Sequence, residues 1–398
     1  MSYPEVVLGR AKEIQVVGGH PWVFSNAIVS IKDNRDIAPG SLVKVVSDKG
    51  AFVGVGTYNP NTSIRIRIIS RVENETINVD FICRKLLELD KIKSKYLPPN
   101  TSGYRVVHAD ADGLPGLVLD KYGDVYVFQL HTWGMENLRQ EVIAAVTKAF
   151  SPRVIVERSD VISRREEGLQ TLAPQIHFGK LSEEIVFTEN NIKFVADVMK
   201  GQKTGFFLDQ KEARIKLGKY CPQKTVLNLF CYSASFSVCA ALAGAREVVS
   251  VDVSAQALEI AQRNFKLNGL DSNKFKFIKE DVFAFLKKED NTDFEVIICD
   301  PPAFAKSQNK IKIAVNAYEK INNICFEKAK QDTIFVTSSC SGRITQEEFR
   351  NVLKVAAGKA RRNARVVDYC GQSADHTEIL AFPEGKYLKT FFVEVRDI

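Results

Sequence analysis

The stretch TVLNLFCYSASFSVCAALAGAREVVSVD, residues 225–252, decides how the C-terminal half of this chain folds. Its two ends, Thr225–Phe230 and Glu247–Asp252, are rich in β-branched and apolar residues, which predicts two strands. The small apolar residues between them predict a helix. A strand, a helix and a second strand in this order form the βαβ unit from which parallel sheets are built.

The alternation of strands and helices continues from this stretch to the end of the chain. Further strands are predicted at Phe275–Lys279, Val296–Asp300, Thr333–Ser338, Arg365–Asp368 and Thr390–Val395, with helices at Ala255–Asn268 and Thr345–Ala357. We expect the last strand to be antiparallel and to form the edge of the sheet. Residues 184–398 are therefore predicted to form a Rossmann-like α/β domain, in which ligands bind at the carboxyl ends of the strands.

Polar side chains follow four of these strands in chain order. Phe230 leads into the turn CYSAS (231–235), Asp252 ends the second strand, Asp281 follows the third and Asp300 ends the fourth. Asp252 could accept two ribose hydroxyls, and Asp281 could accept the amine of an adenine. A dinucleotide enzyme requires Gly-x-Gly-x-x-Gly at the first turn, which here contains no glycine. The pattern favours an adenosine-containing cofactor, and the alternative is that each aspartate caps a helix.

Two further domains are predicted before residue 184. Residues 1–72 contain short β-type runs broken by turn residues, which predict a small β-barrel: Glu13–Val17, Leu42–Val46, Ala51–Val55 and Ile64–Ile69. In the last run isoleucines alternate with Arg65 and Arg67, which indicates a strand with a basic outer face. Residues 73–183 are predicted to form an α+β domain that opens with a helix at Val79–Lys95 and contains another at Glu136–Phe150.

The composition is that of an ordinary globular protein, with 45% hydrophobic and 26% charged residues. A net charge of +7 favours a polyanionic partner such as nucleic acid without establishing one. The eight cysteines form no Cys-x-x-Cys pair and only five histidines are present, so we expect no metal site. No secretory profile or membrane-length apolar run is present, so we expect a cytoplasmic protein without a membrane partner.

Three segments resemble one known family. GQKTGFFLDQ (201–210), DPPAFAK (300–306) and SSCSG (338–342) look like the corresponding segments of the bacterial 23S rRNA (cytosine-C5) methyltransferases, which carry an N-terminal PUA domain. The likeness spans nearly the whole chain, from residues 19–24 at the start of the PUA-like region to residues 382–389. It implies S-adenosyl-L-methionine as the cofactor, a class I methyltransferase fold and 5-methylcytosine in large-subunit ribosomal RNA as the product.

The resemblance also implies which residues bind the cofactor. These are Gln210, Phe230, Tyr232, Ser233, Ser235, Asp252, Asp281 and Asp300. Lys203 and Asp209 are expected to border the methionine end of the cofactor together with Gln210, and Lys203 is also counted among the substrate-binding residues. The family usually has glycines in the first cofactor turn, where this chain has small non-glycine residues that still permit close approach.

Carbon 5 of cytosine is a poor nucleophile, and attack of a thiolate at carbon 6 makes it reactive. Cys340 follows the fifth strand and precedes a predicted capping box at Thr345–Glu348, and the family's nucleophile is the cysteine of this segment. The helix N-terminus and Arg343 could favour the thiolate. The other cysteines considered are interpreted as buried thiols: Cys83, Cys221, Cys239, Cys299, Cys325 and Cys370.

Five residues are expected to contact the substrate in addition to Lys203. Asp300 would hold the base, and Phe304 would stack on it, with a place in the core as the alternative. Arg65, Arg67 and Lys44 are candidate phosphate contacts, with a solvated strand face as the alternative.

Two other functions and the oligomeric state stay open at this point. A methyltransferase of the same fold could modify a guanine ring nitrogen or an exocyclic amine, and it would need no thiol. A non-catalytic RNA-binding assembly factor could retain a vestigial pocket, because the first turn lacks glycine. The sequence is also compatible with a homodimer.

Overall fold

The computed structural model describes residues 3–32, 36–270, 274–288, 293–304 and 311–398. The chain divides into two compact units. The first contains Met1–Asn190, Ala196–Leu208 and Ala374–Gly385, and the second contains Asn191–Val195, Asp209–Ser373 and Lys386–Ile398. Two segments thus return to the first unit after the chain has entered the second. The predicted boundaries near residues 72 and 183 stay predictions.

The first unit begins with a six-stranded sheet. Its strands are β1 (Glu5–Leu8), β2 (Trp22–Phe24), β3 (Ile28–Ile31), β4 (Leu42–Val46), β5 (Phe52–Tyr58) and β6 (Ile64–Ser70). They lie in the order β2-β6-β5-β4-β1-β3. Alternate residues such as Val43 with Val45 and Ile66 with Ile68 are buried in one core, which confirms the predicted period of two.

One predicted strand of this region is wrong. Residues Ile14–Val17 form a single helical turn, α1, in which the Gly18 N–H donates to the Ile14 carbonyl. Only Val16 of this run is buried, whereas Ile14 and Val17 are more than half exposed. Because no alternating face is buried here, the apolar run gains nothing from an extended conformation.

A second sheet completes the α+β part of the first unit. Its strands, in the spatial order β11-β10-β9-β8-β7, are β7 (Gly103–His108), β8 (Leu117–Tyr122), β9 (Val125–Leu130), β10 (Val154–Glu157) and β11 (Gln175–Phe178). Its helices are α2 (Val79–Ser94), α3 (Trp133–Asn137) and α4 (Arg139–Phe150). The helix predicted at Glu136–Phe150 is therefore interrupted at Leu138. The short strands β12 (Ile185–Glu189) and β13 (Ile192–Ala196) follow at the boundary between the units.

Arg67 holds two acidic side chains of the first unit. Its Nη1 lies 3.0 Å from Asp110 Oδ1 and its Nη2 lies 2.9 Å from Glu167 Oε1. The Trp22 indole N–H donates to the same Asp110 oxygen at 2.6 Å. Because two carboxylates already neutralise this 15%-exposed side chain, the structure favours a packing role for Arg67 over the expected phosphate contact.

The second unit contains a seven-stranded sheet. Its strands are β14 (Thr225–Leu229), β15 (Glu247–Asp252), β16 (Phe275–Lys279), β17 (Val296–Cys299), β18 (Thr333–Ser339), β19 (Arg362–Cys370) and β20 (Lys389–Asp397). Its helices are α5 (Lys211–Leu217), α6 (Ser235–Leu242), α7 (Ala255–Leu267), α8 (Val282–Leu286), α9 (Ile311–Lys328) and α10 (Gln346–Lys359). The strand order is β16-β15-β14-β17-β18-β20-β19, and all neighbours are parallel except the two pairs of β20. The predicted α/β sheet is confirmed.

The predicted edge of this sheet is wrong, because β20 lies inside the sheet between β18 and β19. Phe391, Phe392 and Val393 are all buried, which matches a strand covered on both faces. The edge is β19, whose Arg362–Cys370 stretch is largely exposed and carries charged side chains. Within the described ranges no helix is long and apolar enough to cross a membrane.

Replacing Arg67 by Met is expected to destabilise the first unit by about 3 kcal/mol, because Asp110 and Glu167 would lose a shared partner. Both tryptophans, Trp22 and Trp133, belong to this unit, so tryptophan fluorescence during urea unfolding of the full chain reports on it. Arg84→Met is the control. It removes an exposed pair with Glu75 and should cost under about 1 kcal/mol. Equal losses in the two variants would contradict the assignment.

Candidate active site

The register of the parallel strands brings the polar strand ends to one edge of the sheet. Leu229 of β14 lies opposite Val251 of β15 and opposite Cys299 of β17, and Cys299 lies opposite Thr337 of β18. The residues that follow these positions therefore emerge side by side. They are Phe230, Asp252, Asp300 and, past the end of β18, Cys340.

The turn after β14 has a strained backbone. Phe230, Tyr232 and Ala234 have φ angles of 56°, 50° and 57°, a region that favours glycine and costs other residues roughly 1–2 kcal/mol each. The turn therefore keeps a backbone conformation suited to glycine although it contains none. Strain of this kind persists only where neighbouring groups hold the backbone, and it is concentrated at functional sites.

Two side chains hold this turn in place. Asp252 Oδ2 accepts from the Tyr232 N–H at 2.9 Å, and Asn264 Nδ2 donates to the Ser233 carbonyl at 2.8 Å. Asn264 is fully buried and also accepts from the Val195 N–H. Asn264 therefore supports the turn from within the core.

The two expected adenosine contacts also bond to the backbone. Asp252 Oδ1 accepts from the Ser254 N–H at 2.9 Å, and the exposed Asp281 caps α8 by accepting from the Ala284 N–H at 3.0 Å. Each carboxylate oxygen can accept a second hydrogen bond, so these contacts leave capacity for a ligand. The cofactor roles of Asp252 and Asp281 stay predictions.

Asp300 lies at the centre of a buried polar group. Gln210 Nε2 donates to Asp300 Oδ1 at 3.0 Å, and Gln210 Oε1 accepts from the Thr390 hydroxyl at 3.4 Å. Burial and the negative charge of Asp209 raise the pKa of Asp300 to about 7, against the opposing effects of Arg214 and Gln210. A carboxyl group with this pKa can either donate or accept a proton near neutral pH.

The sequence did not single out Arg214. This arginine is buried in α5, with Nη1 3.5 Å from Ser235 Oγ and the guanidinium 5.9 Å from the centre of the Phe236 ring. Arg214 therefore contacts the start of α6, and its positive charge also acts to lower the pKa of Asp300. The sequence of α5 does not reveal which cation is buried. Arg214 stands beside other charged residues such as Lys216 on the same short helix.

Cys340 differs from the other cysteines in its exposure. It is half-buried, whereas the other seven are buried, and none of the eight forms a disulfide. Burial raises the pKa of Cys221 and Cys370 to about 12 and that of Cys299 well above its usual value. These three thiols are therefore unreactive at neutral pH. The predicted capping box of Thr345 and Glu348 at the start of α10 is confirmed.

Three side chains surround the Cys340 turn. Arg343 is exposed, whereas Lys389 is a buried cation. The buried Tyr318 hydroxyl faces the same turn, and hydrogen bonding with Ser339 and with the Phe304 backbone acts to lower its pKa. Burial, followed by the charge of Cys340, raises the pKa of Tyr318. Lys389 and Tyr318 were not among the residues expected from the sequence, because a lysine in a strand and a tyrosine in an amphipathic helix carry no recognisable motif.

The remaining predicted substrate contacts fall in different places. Phe304 is half-buried and packs edge-on against Tyr318, with ring centres 4.8 Å apart, so part of the core interpretation holds. Lys203 is exposed and belongs to the first unit. Arg65 donates to the Asn59 carbonyl at 3.4 Å, and Lys44 pairs with Glu73 at 2.9 Å. The end of the DPPAFAK segment lies outside the described residues.

The residues at the sheet edge fit S-adenosylmethionine. The glycine-free turn offers no phosphate cradle, and the buried Ser233 hydroxyl has no hydrogen-bond partner in the described ranges. The carboxylates of Asp252 and Asp281 would serve as acceptors for ribose and adenine groups, and Gln210 and Asp209 would add further polar groups. Among the described residues, no cluster of three or more His, Cys, Asp or Glu is arranged to hold a metal.

Comparison with known proteins identifies both parts of the chain. A family model described as an S-adenosylmethionine-dependent methyltransferase matches residues 168–325, and one described as a PUA-like domain matches residues 6–71. The chain is 38% identical to ribosomal RNA large subunit methyltransferase I of Shewanella denitrificans, over 98% of this chain and 99% of that protein. It is 34% identical to the protein of the same name from Klebsiella pneumoniae, over 99% and 98%.

Solved structures show the same fold. A SAM-dependent methyltransferase from Streptococcus mutans is 24% identical, with a TM-score of 0.82 over 99% of this chain and 100% of that chain. The crystal structure of SMU.776 complexed with SAH has a TM-score of 0.84 at 24% identity and the same coverage. These structures confirm the expected fold class. The family model and the relatives confirm the expected enzyme class and cofactor, and they do not support a non-catalytic factor. The chain belongs to the family of the proteins named ribosomal RNA large subunit methyltransferase I, and it is an S-adenosylmethionine-dependent methyltransferase with an N-terminal PUA-like domain.

Proposed function

We propose that this enzyme forms 5-methylcytosine in large-subunit ribosomal RNA and that Cys340 is its nucleophile. The observation that carries the proposal is one partly exposed thiol at the sheet edge where Asp300 and the cofactor turn emerge. The relatives are named for action on the RNA of the large ribosomal subunit, which supports this substrate class. The homodimer and the cytoplasmic location stay predictions.

The proposed reaction begins with addition of the Cys340 thiolate to carbon 6 of the cytosine. The neutral form of Asp300, available because its pKa is about 7, donates a proton to the ring nitrogen and so accepts part of the developing negative charge. S-adenosylmethionine supplies an electrophilic methyl group on a sulfonium. Carbon 5, made nucleophilic by this addition, would receive the methyl group, and the cofactor would leave as its neutral thioether, S-adenosylhomocysteine. The ring nitrogen would return its proton to Asp300. Loss of the carbon 5 proton to a base then expels the thiolate and restores the ring.

The site also suggests how the base is held. Phe304 is partly exposed beside Tyr318, so its ring is available to stack on an extruded base. Stacking on an aromatic ring does not discriminate between bases. Pro302, which is exposed, stands where some RNA cytosine methyltransferases have a second cysteine for product release. Release from Cys340 must therefore use another base or water.

For RNA contact we propose a cleft of about 400 Å³ in the first unit. Its lining includes Lys12, Gln15 and Phe24, which combine a positive charge, an amide and an aromatic ring. Such groups contact phosphates and stack on bases, so they position RNA without reading its sequence. Arg65, which is only half-buried, stays a proposed phosphate contact, and Arg67 is not included in this surface.

Replacing Cys340 by Ser is expected to lower methyl transfer by about 10⁴-fold or more, because a serine hydroxyl is a poor nucleophile at neutral pH. The measurement is transfer of labelled methyl groups to ribosomal RNA, with mapping of the methylated base. Cys370→Ala is the control and should retain activity, since that thiol is buried in β19. RNA containing 5-fluorocytosine should trap a covalent complex with the parent enzyme only. Full activity of Cys340→Ser would instead favour methylation of a guanine nitrogen or an exocyclic amine.

Replacing Asp300 by Asn is expected to lower kcat by about 10²–10⁴-fold while raising stability at neutral pH. The raised pKa means that the folded protein binds the Asp300 proton more tightly than the unfolded chain does. The associated stability is present below about pH 4 and lost as pH rises through about 7. Melting temperatures of the variant and the parent should therefore coincide near pH 4, and the variant should melt higher at pH 8.

Asp368→Asn provides a control of opposite sign for this measurement. Hydrogen bonds from Lys216 and Lys219 hold the pKa of Asp368 below its usual range. Removing that carboxylate should lower the melting temperature at neutral pH and have little effect in acid. A lower melting temperature of Asp300→Asn at pH 8 would refute the assignment of a proton-retaining Asp300.

Replacing Lys12 by Gln is expected to weaken RNA binding for all sequences and to reduce the slope of log affinity against log salt by about 1. The affinity for a ribosomal RNA fragment would be measured by filter binding between low and moderate salt. Lys148→Gln is the control, because this exposed lysine of α4 already pairs with Asp80. Identical salt slopes in the two variants would argue against the cleft as an RNA contact.

A further inference from the structure

A buried lysine beside the nucleophile has no part in the reaction described so far. Lys389 is the first residue of β20 and lies opposite Ser339 of β18 in the antiparallel register. Its side chain is only 2% exposed. Lysine is rarely buried to this extent without a partner, because removing an ammonium group from water is costly. The position therefore calls for a physical explanation.

The contacts of Lys389 all lead to the turn that carries Cys340. Its Nζ donates to the Ser341 carbonyl at 2.6 Å and to the Ile344 carbonyl. Both carbonyls belong to the segment between β18 and α10. Within the described part of the chain, neither hydrogen-bond partner is a carboxylate. The two carbonyl dipoles therefore stabilise the ammonium group without neutralising its positive charge. Lys389 therefore stabilises the turn by hydrogen bonds and places a positive charge next to it.

The charges that face Lys389 come from two elements. Burial lowers the pKa of Lys389 to about 8, and the negative charges of Cys340 in the turn and Glu348 in α10 act in the opposite direction. Glu348 is committed to the capping box, where it accepts from the Thr345 N–H and hydroxyl. At pH 7 the lysine is therefore mostly protonated. Tyr318 of α9 is a further titratable group that faces Cys340.

The interaction between two titrating groups is reciprocal. If the Cys340 thiolate favours the protonated form of Lys389, the ammonium of Lys389 favours the thiolate of Cys340 by the same free energy. The exposed Arg343 is screened by solvent and contributes less for the same distance. A buried charge near a thiol is the environment in which reactive cysteines are found.

We propose that Lys389 is a positioning residue for Cys340, which holds the 340–344 turn in its reactive conformation and stabilises the thiolate. This inference rests on the proposed role of Cys340 in methyl transfer. It assigns a role to a buried cation that the proposed reaction leaves unused.

The test measures the reactivity of Cys340 rather than turnover. The full-length protein is treated with iodoacetamide from pH 6 to pH 10, and alkylation of the peptide containing Cys340 is followed by mass spectrometry. In Lys389→Met the midpoint of the pH profile should rise by about one unit, so that alkylation at pH 7 slows about ten-fold. Lys389→Arg should largely restore the parent profile, because it keeps the charge.

Two further variants show whether a shifted midpoint comes from the lost charge or from a change in folding. Lys389→Gln can still donate to the two carbonyls but carries no charge, so it should shift the midpoint as Lys389→Met does while retaining the parent melting temperature. Lys389→Gln is the decisive variant if Lys389→Met fails to fold. Lys354→Met removes an exposed lysine of α10 and should leave the profile unchanged. An unshifted midpoint in Lys389→Gln would overturn the proposal.

The alkylation test and the methyl-transfer test can fail separately. Full methyl transfer by Cys340→Ser would refute the role of the thiol in catalysis, whereas the alkylation profile would still report on the coupling between Lys389 and Cys340. An inactive Cys340→Ser combined with an unshifted Lys389→Gln profile would refute only the inference about the lysine. A shifted profile together with reduced kcat in Lys389→Gln would support both.

Discussion

The in-phase pairing of four parallel strands is the constraint on which the site depends. Because Leu229, Val251, Cys299 and Thr337 are aligned by the hydrogen bonds of the sheet, the residues after each strand emerge at a common edge. Sequence separations of more than a hundred residues are thereby reduced to neighbouring strand ends. A slip by one residue would turn the side chain of Asp300 towards the opposite face. The apolar strands that fix the register therefore also fix the chemistry.

The edge of this sheet contains several arrangements that lower stability. Three non-glycine residues, Phe230, Tyr232 and Ala234, adopt left-handed backbone angles. Asp300 is a half-buried carboxyl group with a raised pKa, and Lys389 is a buried ammonium group. Neighbouring polar groups stabilise each of these arrangements. Asn264, for example, donates a hydrogen bond to the turn after β14. Such unfavourable features persist where function requires them and where the surrounding core supplies the stability.

Charge has a different role in the first unit. Arg67, which the strand pattern placed on a basic outer face, is enclosed between Asp110 and Glu167. The 55 lysines and arginines of the chain therefore include cations that are not available to RNA. Phosphate contact requires cations that are not already paired with a carboxylate. The exposed Lys12, which lines the 400 Å³ cleft, is therefore a better candidate than the arginine of the strand.

The sequence by itself determined the α/β class, nearly every strand of the methyltransferase sheet, the capping box at Thr345 and the residues at the strand ends. These features follow from local periodicity and from local hydrogen bonding, which neighbouring residues decide among themselves. Only the tertiary structure placed β20 inside the sheet, paired Arg67 with two carboxylates, and brought Arg214 and Lys389 beside Asp300 and Cys340. The physical reason is that burial and charge pairing depend on residues distant in the chain, and no local pattern encodes which distant group a side chain will meet.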